Sequence, residues 1–179
     1  MEVFEYGFLD EERLKVAMIT FDEGSLRFVY RVAGVAKDKG RVLLETVGGQ
    51  DFWFLPGGRG EFLEPSRETL RREMIEEIGT KVKVGRLLWV VENFFGGKDL
   101  ITAQGMSVHE IGFYFLMELP RNSLLRKLET FPGEDNGFKI TFKWHRLEDL
   151  KKIRVLPSFL QTELKRIPDG PKHIIHQDK

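Results

Sequence analysis

Gly58-Arg59-Gly60-Glu61-Phe62-Leu63-Glu64-Pro65-Ser66-Arg67-Glu68-Thr69-Leu70-Arg71-Arg72-Glu73-Met74-Ile75-Glu76-Glu77-Ile78-Gly79-Thr80 decides the reading of this chain. Its second half is a helix pattern. At about 100° per residue, Glu73, Glu76 and Glu77 share an arc of roughly 100°. Leu70, Met74 and Ile78 form an apolar stripe on the neighbouring arc, extended by Ile75, and such a stripe packs against a sheet. Pro65 suits a first helical turn, Glu64 or Ser66 is placed to cap it, and Gly79 ends it as a C-cap glycine. Like charges one turn apart destabilise a helix, so three carboxylates on one flank call for a compensating cation. Hard carboxylate oxygens suit Mg²⁺ or Mn²⁺ better than zinc or copper, and Mg²⁺ shares its shell with water and substrate phosphates. Leu55-Pro56-Gly57-Gly58, just upstream, brings backbone close to the site where side chains would obstruct.

The rest of the chain supplies a frame. Of 179 residues, 41% are apolar and 15 are Phe, enough for one well-packed domain. Lys plus Arg and Asp plus Glu are 28 each, so no global field favours nucleic acid or an anionic membrane. There is no Cys, which excludes disulfides and thiolate metal sites. Met1-Glu2-Val3-Phe4-Glu5 lacks a signal-peptide pattern, and no apolar run approaches the roughly 20 residues of a membrane span. A cytoplasmic enzyme is expected.

Residues 1–26 form an extension, with a short helix near Asp10 to Lys15 and a possible dimer contact. Strands are expected at Leu26–Val35, Arg41–Thr46, Phe52–Leu55, Lys81–Phe95, Val108–Leu119 and Phe138–Trp144, and helices at Glu148–Ile153 and Pro157–Arg166. This is an α/β chain: a mixed β-sheet with helices on its faces. The domain spans 27–167, and the tail 168–179, with His173 and His176, is expected to be disordered or docked.

The quoted stretch resembles the Nudix hydrolase signature, G-x5-E-x7-R-E-U-x-E-E-x-G-U with U a bulky aliphatic residue. Gly58, Glu64, Arg72, Glu73, Met74, Glu76, Glu77 and Gly79 match, and Thr80 departs only at the final packing position. Trp53 to Gly58 upstream, and Trp144 and Leu156 to Leu160 downstream, extend the likeness. The resemblance implies an α/β/α sandwich that hydrolyses a nucleoside diphosphate linked to some moiety X. It further implies that Glu73, Glu76 and Glu77, with the Gly57 carbonyl, coordinate Mg²⁺ or Mn²⁺. Arg72 then orients Glu73, and Glu64 supports the loop–helix structure. Metal ions bridging two phosphates neutralise developing charge and activate water for attack on phosphorus.

Around that centre, Glu134 is the expected extra ligand or general base, chosen from a loop that also holds Glu129 and Asp135. Glu110 is a candidate to face the cleft. Trp53 and Phe95 are candidates for base stacking, and Arg59 for a phosphate oxygen. Glu45 stands where relatives often carry a basic residue. Two other readings share the fold. An isopentenyl-diphosphate isomerase-like enzyme is disfavoured by the missing Cys, and a catalytically silent nucleotide-binding module by the intact carboxylates. The proline and tyrosine that mark ADP-ribose and dinucleoside-polyphosphate branches would fall near Phe95 and Gly97 and are absent.

Overall fold

The computed structural model describes residues 17–96, 105–135 and 137–177. The helix near Asp10 to Lys15 and Gly97 lie outside the described residues. Chain order gives β1 (Thr20–Glu23), β2 (Leu26–Asp38), β3 (Arg41–Val47), β4 (Phe52–Trp53), β5 (Gly57–Arg59), α1 (Ser66–Ile78), β6 (Lys83–Gly96), β7 (Ser107–Glu118), β8 (Thr130–Asp135), β9 (Phe138–Arg146), β10 (Arg154–Val155), α2 (Leu160–Glu163) and β11 (Lys172–Gln177). A 3₁₀ helix, Leu147–Lys152, follows β9. The second expected helix shrinks to the four residues of α2, within the span read as Pro157–Arg166.

The main sheet runs β11-β6-β7-β2-β3-β9-β8 and is mixed. Thirteen-residue β2 organises it. One edge pairs in parallel with β7; the other meets β1, then β5, then β3 in succession. Arg31 and Ala33, paired with Arg59 and Gly57 of β5, line the cavity of the site together with Glu45 of β3.

Strand alternation sorts the core into two layers. Leu43, Phe142 and Trp144 pack with Leu70 and Met74 of α1 on one face. Val42, Leu44 and Trp89 pack with Leu150, Leu160 and Leu164 on the other. Helical segments thus cover both faces, as an α/β/α sandwich requires. Ile75 departs from the expected apolar stripe, being 45% exposed, whereas Leu70 and Met74 are fully buried. One residue round from the stripe centre is enough to lift a side chain off the sheet.

Residues 172–177 resolve the tail as docked: β11 runs parallel to β6 with Ile174 opposite Val91. His173 Nε2 lies 2.7 Å from Glu92 Oε1, and His176 Nε2 lies 3.2 Å from the Ser158 hydroxyl.

Candidate active site

Helix α1 is fixed at both ends without a side-chain N-cap. Pro65 occupies the N-cap position, and neither Glu64 nor Ser66 caps it through its side chain. Glu64 is engaged elsewhere: its Oε2 accepts from Thr69 Oγ1 at 2.8 Å and from the Glu61 amide at 3.3 Å. At the other end Gly79 takes a left-handed φ of 63°, and its amide reaches the Ile75 carbonyl at 3.0 Å. A residue with a Cβ is strained there, so glycine is the natural stop.

Arg72 ties the loop to the helix. Its guanidinium donates to Glu64 Oε1 (2.9 Å) and Oε2 (3.0 Å), Glu73 Oε1 (2.9 Å), Glu76 Oε2 (3.0 Å) and the Arg59 carbonyl (3.0 Å). Desolvation alone would lower its pKa, but the Glu64 hydrogen bonds and the Glu73 charge hold it well above the ordinary value. Five bonds from one planar fork fix the orientation of Glu73. Lys, with a single ammonium, could not replace this.

The glycine turn is built for close approach. Gly57 adopts φ +138°, where a Cβ would run into the Val32 carbonyl, and a Cβ on Gly58 would overlap the Glu73 carboxylate. The backbone therefore lies directly against the acidic flank of α1.

Above these elements sits a cavity of about 810 Å³, within the range of small-molecule sites. Glu73 and Glu77 line it from α1, Gly57, Gly58 and Arg59 from the turn, Glu45 from β3, Arg31 from β2, Glu110 from β7, Asn93 and Phe95 from β6, and Asp135 from β8. Glu45, Glu73, Glu77, Asn93 and Glu110 are all buried. Burial, then the charge of Glu73, pushes the Glu77 carboxyl up to about 9. Burial, then the charge of Glu77, raises Glu45 well above its usual range. Desolvation also raises Glu73, against the pull of Arg72.

These groups offer hard carboxylate oxygens of the kind a divalent cation takes. Glu77 Oε2 and Glu45 Oε2 are buried and accept no hydrogen bond. A native interior rarely leaves such atoms unpaired without a functional reason. Among the described residues no three Asp, Glu or His side chains stand close enough together to hold a metal ion by themselves. Glu73 and Glu76 are turned toward Arg72 instead, and Mg²⁺ typically completes its shell with water and substrate phosphate.

The strand pairing puts several of the expected site residues elsewhere. Glu134 is exposed and faces Lys139 across the β8–β9 ladder; its neighbour Asp135 lines the cavity. Trp53 turns away to pack edge-on against His145 at 4.4 Å, while Phe52 and Phe54 line the cavity. Phe95, Arg59 and Glu110 are in the cavity as expected. Glu76 is half-exposed beside Arg72, outside the cavity lining. Arg31, Asn93 and the burial of Glu45 were missed. The available signal was period-two alternation, which puts Val29, Arg31 and Ala33 on one face of β2 and Asn93 and Phe95 on one face of β6.

The fold and this carboxylate-lined cleft beside a glycine turn define a Nudix-type hydrolase. The NUDIX domain model matches residues 27–163, and the chain belongs to the Nudix family. Compared by sequence with curated proteins, the chain matches none. Among solved structures it is similar to a NUDIX hydrolase from Nitrosomonas europaea (TM-score 0.55, 17% identity, covering 84% of this chain and 79% of that one). It is also similar to a MutT protein from Bacillus halodurans (0.54, 18%, 83% and 89%) and an ADP-ribose pyrophosphatase from Streptococcus suis (0.52, 14%, 82% and 98%). At these identities the likeness is one of fold. No helix among the described residues is long and apolar enough to cross a membrane.

Proposed function

We propose that this chain hydrolyses the pyrophosphate linkage of a nucleoside diphosphate joined to a further group X, with Mg²⁺ or Mn²⁺ as cofactor. The observation that carries the reading is the pair of buried, unbonded oxygens, Glu77 Oε2 and Glu45 Oε2, in a cavity that a glycine turn floors with backbone. Glu73, Glu76 and Glu77, with the Gly57 carbonyl, are the residues that would hold the cation. When bound, the cation would supply charge neutralisation on the phosphates and a more acidic attacking water.

The chain's own residues do the remainder. Arg72 holds Glu73 in place, and Gly58 lets that carboxylate sit against the turn. Asp135, which lines the cavity where Glu134 does not, would accept the proton of the attacking water. Phe95 offers a ring face for a base, and Arg59 a guanidinium for a phosphate oxygen. Retention of every signature carboxylate argues against the silent nucleotide-binding module.

The test is a panel of nucleoside triphosphates, nucleoside diphosphates and nucleotide sugars with Mg²⁺ or Mn²⁺, products identified by mass. Cleavage between phosphorus atoms is expected, abolished by chelator and reduced by orders of magnitude in Glu77→Gln. No cleavage of any member would refute the reading.

A further inference from the structure

Two arginines face each other on one wall of the cavity. In the antiparallel pairing of β2 with β5, Arg31 stands directly opposite Arg59, and both line the cavity. Like charges directly opposite across strands destabilise a sheet. At Arg31 the charges of Glu110 and Glu45 offset that repulsion, whereas at Arg59 burial and the like charges prevail.

Each arginine is held differently. Arg31 is anchored: its Nη2 donates to the Leu55 carbonyl at 3.1 Å, and its guanidinium lies over the Phe54 ring, 5.4 Å from the centroid. Its contact with Glu45 Oε1, 3.6 Å, is too long for a hydrogen bond. The Arg59 side chain forms no ion pair or hydrogen bond among the described residues, although it is only partly exposed. Burial, then the neighbouring charges of Arg31 and Arg27, pull its pKa down. Arg27, the third guanidinium nearby, is taken: Asp22 accepts from it at 2.7 and 2.9 Å. The cavity thus carries Glu73 and Glu77 on the α1 side and the Arg31 and Arg59 guanidiniums on the β2–β5 side, with the charge of Glu110 on β7 acting on both arginines.

We propose that Arg31 and Arg59 form a two-pronged clamp for the phosphate of the pyrophosphate unit that is not attacked, so that the site selects ligands carrying two linked phosphates. The inference rests on the pyrophosphohydrolase reading and adds to it the group that binds the second phosphate. A guanidinium presents paired N–H donors that match two phosphate oxygens, and two opposed guanidiniums enclose one phosphoryl group from both strands. A ligand with two linked phosphates can offer one to the helix side and the other to the arginines. Glu45, its Oε1 3.6 Å from Arg31 Nη2, helps hold Arg31 on this wall.

The experiment is calorimetric titration of the full chain, with Mg²⁺ present, using methylenediphosphonate (a diphosphate that cannot be hydrolysed) and inorganic phosphate as probes. Diphosphonate is expected to bind at least about tenfold more tightly than phosphate. Arg59→Met should weaken diphosphonate about 10–100-fold, the range for losing charged hydrogen bonds, and Arg59→Lys should recover part. Arg27→Met should change it less than about threefold. Because no described residue is hydrogen-bonded or ion-paired to the Arg59 side chain, Arg59→Met should unfold in urea no earlier than wild type, and a structural role would show the opposite. Where a substrate is available, KM should rise by a similar factor with kcat nearly unchanged. Arg31→Met leaves buried Glu45 uncompensated and can fail to fold, so Arg59 carries the decision. Unchanged diphosphonate binding in Arg59→Met, or equal affinity for phosphate, overturns the clamp. Turnover of a nucleotide with unchanged binding in Arg59→Met sinks the clamp and spares the hydrolase reading. Arg59-dependent binding with no turnover of any nucleotide does the reverse.

Discussion

Replacing Glu77 by Gln should stabilise the cation-free protein while destroying its activity. In the folded state burial and Glu73 hold the Glu77 carboxyl near 9, against an ordinary value of 4.5. Its pKa is raised on folding, so the folded state binds more protons between those values. Below about pH 4.5 both states are protonated and the site costs nothing; the cost grows with pH up to about 9. From 4.5 to about pH 7.5 is three pH units, or about 4 kcal/mol at about 1.4 kcal/mol per unit. Glutamine keeps the shape and removes the titration, but forfeits the attraction of Arg31. A net gain of about 2–4 kcal/mol remains, which for a chain of this size is about 5–15 °C in Tm. The assay is thermal unfolding of wild type and Glu77→Gln in chelator from about pH 5 to pH 9. The gap should be small at the acid end and widen steadily. A variant less stable than wild type at about pH 8, or a gap independent of pH, would refute the assignment of Glu77 as a buried carboxylate kept for a cation.

Three further outcomes are expected. Arg72→Met leaves Glu64 and Glu73 partly buried without their main cation, which costs about 3–5 kcal/mol by urea denaturation and lowers turnover more than a surface Arg substitution such as Arg71→Met. Gly58→Ala places a Cβ on the Glu73 carboxylate; kcat should fall at least about 100-fold, as expected for a displacement of roughly 1 Å, and wild-type rates would show that the turn tolerates the methyl. His145 is held near pKa 4 by burial and then Lys143, below the ordinary 6.5, so the unfolded state binds more protons between those values and stability falls as pH drops from about 6.5 to 4. His145→Phe should flatten that acid arm by about 2 kcal/mol, after allowing for partial exposure, measured by denaturation midpoints at about pH 7 and pH 4.5.

The sequence carried the helix and its neighbours because their information is local. Glycine, proline and carboxylate spacing fix α1 and its turn, and β-rich runs mark the long strands. What stayed hidden depends on pairing between distant segments. Whether Glu134 or Asp135 points inward follows from the β8–β9 register, and a one-residue change of parity reverses every side chain. The same parity puts Phe52 and Phe54 in the cavity and Trp53 behind it. Arg31 could not be singled out because nothing along β2 announces that Arg59, far off in sequence, will lie opposite. The tail strand was equally illegible: Lys172 to Gln177 has only two apolar residues, and its place is set by the free edge of β6.

The account turns on carboxylates of α1 kept protonated or frustrated until a divalent cation arrives. Mn²⁺ titration by calorimetry at about pH 7.5, repeated in buffers of different ionisation enthalpy, tests this most directly. Wild type should bind Mn²⁺ and release about one proton per ion, the one displaced from Glu77, and Glu77→Gln should bind far more weakly and release none. No binding by wild type, or equal binding without proton release in both proteins, would contradict it.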